Sequence, residues 1–83
     1  MAKKIVWTDQ ARADVRALDR EVAIDLLRRL ARFLATGEGD VKRLTDIDPR
    51  ELRLRLGDYR VRFYDHDDWI EILRVRNRRD AYR

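Results

Sequence analysis

Apolar positions keep three different rhythms along the chain. From Lys3 to Trp7 a short apolar run predicts a strand, and Thr8 then stands where a helix N-cap belongs, with Asp9 in the first turn. Ala11, Val15 and Leu18 follow at spacings of four and three, one apolar stripe on a helix over residues 8–18 that breaks near Asp19. A second helix, about Arg20 to Ala35, is expected to bury Val22, Ala23, Leu26, Leu27, Leu30, Phe33 and Leu34, a face wide enough to lie on a sheet. Gly37 suits its C-cap. With almost no linker between them, the two helices are expected to form an antiparallel hairpin.

The rhythm then changes. Thr36 to Pro49 reads as a loop, with Gly37, Gly39, three aspartates and the only proline. Leu52, Leu54 and Leu56 alternate with Arg53 and Arg55, the period of two that marks a strand with one buried and one polar face. Gly57 and Asp58 supply a turn, after which Tyr59, Val61 and Phe63 alternate with Arg60, Arg62 and Tyr64. Asp65, His66, Asp67 and Asp68 make a second turn, which leaves His66 as a solvent-exposed loop residue, and Trp69 to Val75, dense in Ile70, Ile72, Leu73 and Val75, makes a third strand in the sheet interior. The pattern predicts a single α+β domain over residues 1–83: an N-terminal strand, a helix hairpin, then a three-stranded antiparallel meander with the helices on one sheet face. Parity turns Arg53 and Arg55, and across from them Arg60 and Arg62, onto the other face, open to solvent.

Composition narrows the chemistry. A chain of 83 residues buries only about 60–65% of its unfolded surface, so the core must be small. Cysteine is absent and His66 is the only histidine, which argues against a disulfide framework and against a zinc site; no cofactor is expected. The N-terminus lacks an apolar run long enough for a signal peptide or a membrane span, so a cytoplasmic protein is expected.

The net charge of +4 favours anionic partners, and its distribution says more than its size. Residues 1–49 carry ten basic and nine acidic side chains, whereas residues 50–83 carry ten basic, all arginine, and seven acidic. Arginine without lysine suits planar, bidentate phosphate recognition. The rows Arg12, Arg16, Arg20 and Arg28, Arg32 on the helices read instead as solvated faces.

Three stretches together carry a family resemblance: Asp40-Val41-Lys42-Arg43-Leu44, Leu52 to Phe63 with its Gly57-Asp58-Tyr59-Arg60 turn, and Val75 to Arg83 with its terminal Arg78-Arg79-Asp80-Ala81-Tyr82-Arg83. In these the chain resembles the RelE/ParE toxin superfamily of type II toxin–antitoxin systems, over essentially its whole length. The resemblance implies a RelE-like microbial RNase fold and a toxin that enters the ribosomal A site and cuts mRNA until a co-expressed antitoxin silences it. It also implies a reaction in which the ribose 2′-hydroxyl attacks the adjacent phosphate, without a metal. Carried over residue by residue, Arg60 resembles the arginine that holds the scissile phosphate, Arg78 the arginine near the leaving oxygen, and Tyr82 the C-terminal tyrosine that orients the nucleotide. Arg53 and Arg55 match basic positions on the preceding strand, and Lys42, Arg43, Arg62, Arg76, Arg79 and Arg83 complete the implied RNA-binding set.

Three positions depart from the pattern. Glu51 and Arg53 stand where RelE has lysines, and Asn77 stands where many relatives have histidine. Arginine is a poor proton acceptor and asparagine does not titrate, so the base is left open among Tyr82, Glu51, Glu71 or none. The ParE branch, which inhibits DNA gyrase, and a non-catalytic antitoxin-binding module are the alternative readings.

Overall fold

The computed structural model describes residues 3–81. It opens with β1 (Lys4–Trp7), followed by α1 (Asp9–Arg16) and α2 (Arg20–Thr36), then β2 (Asp40–Arg43), β3 (Arg50–Leu56), β4 (Tyr59–Asp65), β5 (Trp69–Asn77) and the short α3 (Arg78–Ala81). The strands form one sheet in the order β1-β5-β4-β3-β2, antiparallel except for β1, which runs parallel to β5. No helix among the described residues is long and apolar enough to cross a membrane.

Local signals set the helix ends. Thr8 accepts a hydrogen bond from the Ala11 N–H at 3.1 Å, capping α1. Gly37 closes α2 at φ 76°, a backbone conformation that a side chain would strain. Leu26 and Leu30 of α2 pack with Leu54, Val61, Phe63, Ile70, Ile72 and Val75 of the sheet and Ala11 of α1 in one buried cluster. Leu27 departs from its expected burial and is 39% exposed, beside the similarly exposed Ile24.

Residues 36–49 hold more than a loop, because β2 extends the meander to four antiparallel strands. Only Val41 of its four residues packs against the core, too little alternation to mark a strand in the sequence.

A bulge in β5 decides what the open face displays. Arg62 pairs with Arg74, but the next residue, Phe63, pairs with Ile72, so Leu73 is an extra residue in β5. Ile70, Ile72 and Val75 can thus all point into the core, while Arg74 and Arg76 turn to the same side as Arg62 and Arg60. Without that extra residue, period-two alternation from Ile72 would drive Arg74 inward.

The bulged edge is covered from α1. β1 stops pairing at Trp7 opposite Ile72, after which Thr8 Oγ1 donates to the Ile72 carbonyl oxygen at 2.8 Å and the Asp14 carboxylate accepts the Val75 N–H at 2.9 Å. Arg74 closes the arrangement by donating from Nε to Asp14 Oδ2 at 3.0 Å.

Candidate nucleic-acid interface

Strand register assembles the open face in three rungs. Lys42, Arg53, Arg62 and Arg74 stand opposite one another on four successive strands, a row of four cations. Toward the β3–β4 turn the next rung is Asp40, Arg55, Arg60 and Arg76. Away from the turn the third is Glu51, Tyr64 and Glu71. The face therefore grades from arginine at one end to carboxylate and aromatic groups at the other.

The cations are not equally available. Arg62 is held by Glu51, its Nη2 lying 3.0 and 3.1 Å from the two carboxylate oxygens, and Arg74 is held by Asp14. Lys42, Arg53, Arg55 and Arg76 make no ion pair among the described residues. Arg60, expected to grip phosphate, is only 6% exposed, and its Nη1 donates to the carbonyl oxygens of Gly57 and Tyr59, both at 3.2 Å. Its charge lies under the face and braces the hairpin turn. Arg43 points to the helix side of β2, opposite Leu52, and pairs with Asp46 at 3.1 Å.

Beyond β5, the Arg78 N–H donates to the Asp58 carbonyl oxygen at 2.6 Å, and Asn77 Oδ1 accepts from the Arg79 N–H at 3.0 Å. These contacts set Arg78 and Arg79, both exposed, around an open cleft of about 430 Å³ with Asp58 and Asn77. Tyr82 and Arg83 lie outside the described residues. The register thus brings Arg53, Arg55, Arg60, Arg62 and Arg76 together with Lys42, places Arg78 and Arg79 at the turn end, and leaves Arg43 apart.

Arg74 and the His66 cluster escaped the sequence reading. The bulge hides Arg74, because strict alternation assigns it to the core side. His66 is a correction: it is partly buried, its ring stacked on Trp69 at a centroid distance of 3.9 Å and an interplanar angle of 13°, with Nε2 3.2 Å from Glu71 Oε1. The signal available was an aromatic residue three positions after a histidine across a tight turn, which lets the two rings meet.

Two carboxylates titrate away from their ordinary range. Burial alone would raise Asp14, but the Val75 N–H, the Arg74 guanidinium and the Gln10 amide outweigh it and hold the group low. Asp65 is likewise lowered against the effect of its burial, by Lys3, by the Asp67 N–H and by Arg50. Both serve the frame around the face. Among the described residues no group of three or more His, Cys, Asp or Glu side chains could hold a metal ion.

Residues 5–82 match the family model of the ParE toxin of type II toxin–antitoxin systems, parDE. No curated protein matches. Among solved structures, a chain of the archaeal RelE–RelB complex from Pyrococcus horikoshii is 24% identical, with a TM-score of 0.75 over 94% of this chain and 97% of that one. A chain of the toxin–antitoxin complex RelBE2 from Mycobacterium tuberculosis is 20% identical, with a TM-score of 0.75 over 93% of this chain and 92% of that one. At these identities the likeness to solved structures is one of fold.

Proposed function

The chain belongs to the ParE toxin family of type II toxin–antitoxin systems, and we propose that it arrests translation by cutting ribosome-bound mRNA. The supporting observation is the row Lys42, Arg53, Arg62 and Arg74, which spans four strands on an open face. Regularly spaced cations on a flat surface suit a single-stranded polyanion, and Tyr64 in the next rung offers a ring on which a base can stack. The RNA runs from the Arg78 and Arg79 cleft across Arg55 and Arg53 to the Tyr64 end. Arg60 contributes positive potential from beneath the face, and Tyr82, which resembles the family's nucleotide-orienting tyrosine, stacks a nucleotide. Cleavage proceeds by attack of the 2′-hydroxyl on the adjacent phosphate, so positioning and charge stabilisation carry most of the work.

The partner is an antitoxin, as in the RelE–RelB complexes that share the fold. Its acidic, amphipathic segment fits the apolar groove lined by Trp7, Val15 and Leu27 and rimmed by Arg12 and Arg16.

A second reading, inhibition of DNA gyrase, is favoured by the ParE family match itself. The two separate in one experiment. Purified protein added to translating ribosomes is expected to give A-site mRNA breaks with cyclic-phosphate ends, weakened in Arg78→Ala and in Arg60→Ala. Intact mRNA beside inhibited supercoiling selects the gyrase reading, and growth arrest with neither lesion rejects both.

A further inference from the structure

Three side chains converge on the Tyr64 end of the open face. Arg62 leans toward it, because its partner Glu51 stands in register with Tyr64, one rung farther from the turn. His66 leans back toward it from the other side, because Nε2 reaches Glu71, which also stands in register with Tyr64. The Tyr64 and His66 rings meet edge to face, their centroids 6.2 Å apart. Residues 62, 64 and 66 share one face of β4 and its extension, so guanidinium, phenol and imidazole border a single patch.

Within this patch the imidazole is fixed in one useful state. An ionised carboxylate only accepts hydrogen bonds, so the neutral ring carries its proton on Nε2 toward Glu71 and its lone pair on Nδ1. Nδ1 makes no hydrogen bond among the described residues, where no buried polar side-chain atom lacks a partner, so it is not sealed from solvent. Stacking on Trp69 holds the ring plane. A positioned carboxylate, an oriented imidazole and an open nitrogen are the parts of a general base.

We propose that His66 is the proton acceptor of the cleavage reaction, with the scissile phosphate beside Arg62 and Tyr64; this rests on the ribonuclease reading above. The 2′-oxygen passes its proton to His66 Nδ1 as it bonds to phosphorus. The bond from phosphorus to the 5′-oxygen breaks, and that oxygen takes a proton from water, leaving a 2′,3′-cyclic phosphate and a 5′-hydroxyl. Glu71 stabilises the imidazolium, and Arg62, exchanging the Glu51 carboxylate for the phosphate, faces the developing charge. The imidazolium then returns its proton to solvent. Around His66 the charged and titratable groups are Glu71 from β5, Tyr64 and Asp65 from β4, Arg50 and Glu51 from β3, Lys4 from β1 with Lys3 just before it, and Asp67 and Asp68 in the turn; Arg50 is paired with Asp67 at 2.6 Å and Lys3 with Asp65 at 2.8 Å.

The test is single-turnover cleavage of ribosome-bound mRNA across a pH series. His66→Gln is expected to lower the cleavage rate about 10²–10⁴-fold with binding little changed, and to remove the acid limb of the rate profile. His66→Gly is expected to recover cleavage when imidazole is added, which a merely structural histidine would not do. Glu71→Gln, which preserves shape, gives a smaller loss. Wild-type protein that cuts mRNA while His66→Gln cuts as fast, or keeps the same acid limb, overturns this assignment alone. Wild-type protein that leaves mRNA intact overturns the ribonuclease reading and the assignment with it.

Discussion

Glu51 and Arg62 are joined across β3 and β4, one guanidinium nitrogen lying 3.0 and 3.1 Å from the two carboxylate oxygens. This carboxylate competes with any phosphate for an exposed cation of the four-strand row. Glu51→Gln is therefore expected to tighten binding to single-stranded RNA and to steepen its salt dependence by about 0.7 in log K against log salt, the share of one further phosphate contact. Filter binding across a salt series checks this, and an unchanged slope would show that Arg62 does not meet the backbone.

Arg53 and Arg55 carry no such competitor among the described residues. Replacing either with alanine should weaken RNA binding to a similar degree whatever the sequence and make the slope shallower by about 0.7. A loss confined to particular base sequences would instead point to base readout.

Asp14 binds the bulged strand through the Val75 N–H at 2.9 Å and Arg74 at 3.0 Å. Asp14→Ala leaves that N–H without its acceptor and should cost about 1–3 kcal/mol, measured by urea unfolding. Asp14→Asn keeps an acceptor oxygen and should cost less.

Asp14 and Asp65 also give the fold an acid limit. Both are lowered in the folded protein, so their contribution is fully present above the ordinary aspartate value of 3.8 and declines as pH falls below it and through the lowered folded values. Melting temperatures should thus hold down to about that pH and then drop, with a shallower drop in Asp14→Asn.

Leu27 lies on the apolar groove between α1 and α2, on the opposite side of the sheet from the arginine rungs. Leu27→Glu is expected to weaken antitoxin binding at least about tenfold by titration calorimetry, placing like charge against an acidic segment, while cleavage by the free toxin is retained. Undiminished antitoxin binding would move that partner elsewhere on the surface.

Strict alternation made β3 and β4 legible: Leu52, Leu54 and Leu56 against Arg53 and Arg55 determine a face, and the Gly57 turn, at φ 62°, pairs it with the next strand. Thr8 and Gly37 likewise announced helix ends by their chemistry. What stayed hidden depends on contacts between distant residues. The bulge at Leu73 is stabilised by Thr8 and Asp14, about sixty residues earlier in the chain, so no local window reveals that Arg74 joins the open face. Arg60 shows the converse: alternation placed it on the correct side, yet its guanidinium bends to the hairpin carbonyls. His66 was concealed by its acidic neighbours, which suggest solvent, whereas the Trp69 ring across the turn supplies a stacking surface.

The parallel pairing of β1 with β5 has a consequence for the order in which the molecule is made. β1 is synthesised early, yet among the described residues its strand partner is the last strand of the sheet, so its exposed edge must wait while every intervening element emerges. Contacts of such long sequence separation form late and slowly. A nascent chain that stops short of β5 has neither the bulge nor the strand that carries Arg74 and Arg76. The cation row is therefore completed only when synthesis has passed the last strand, and truncated translation products lack it.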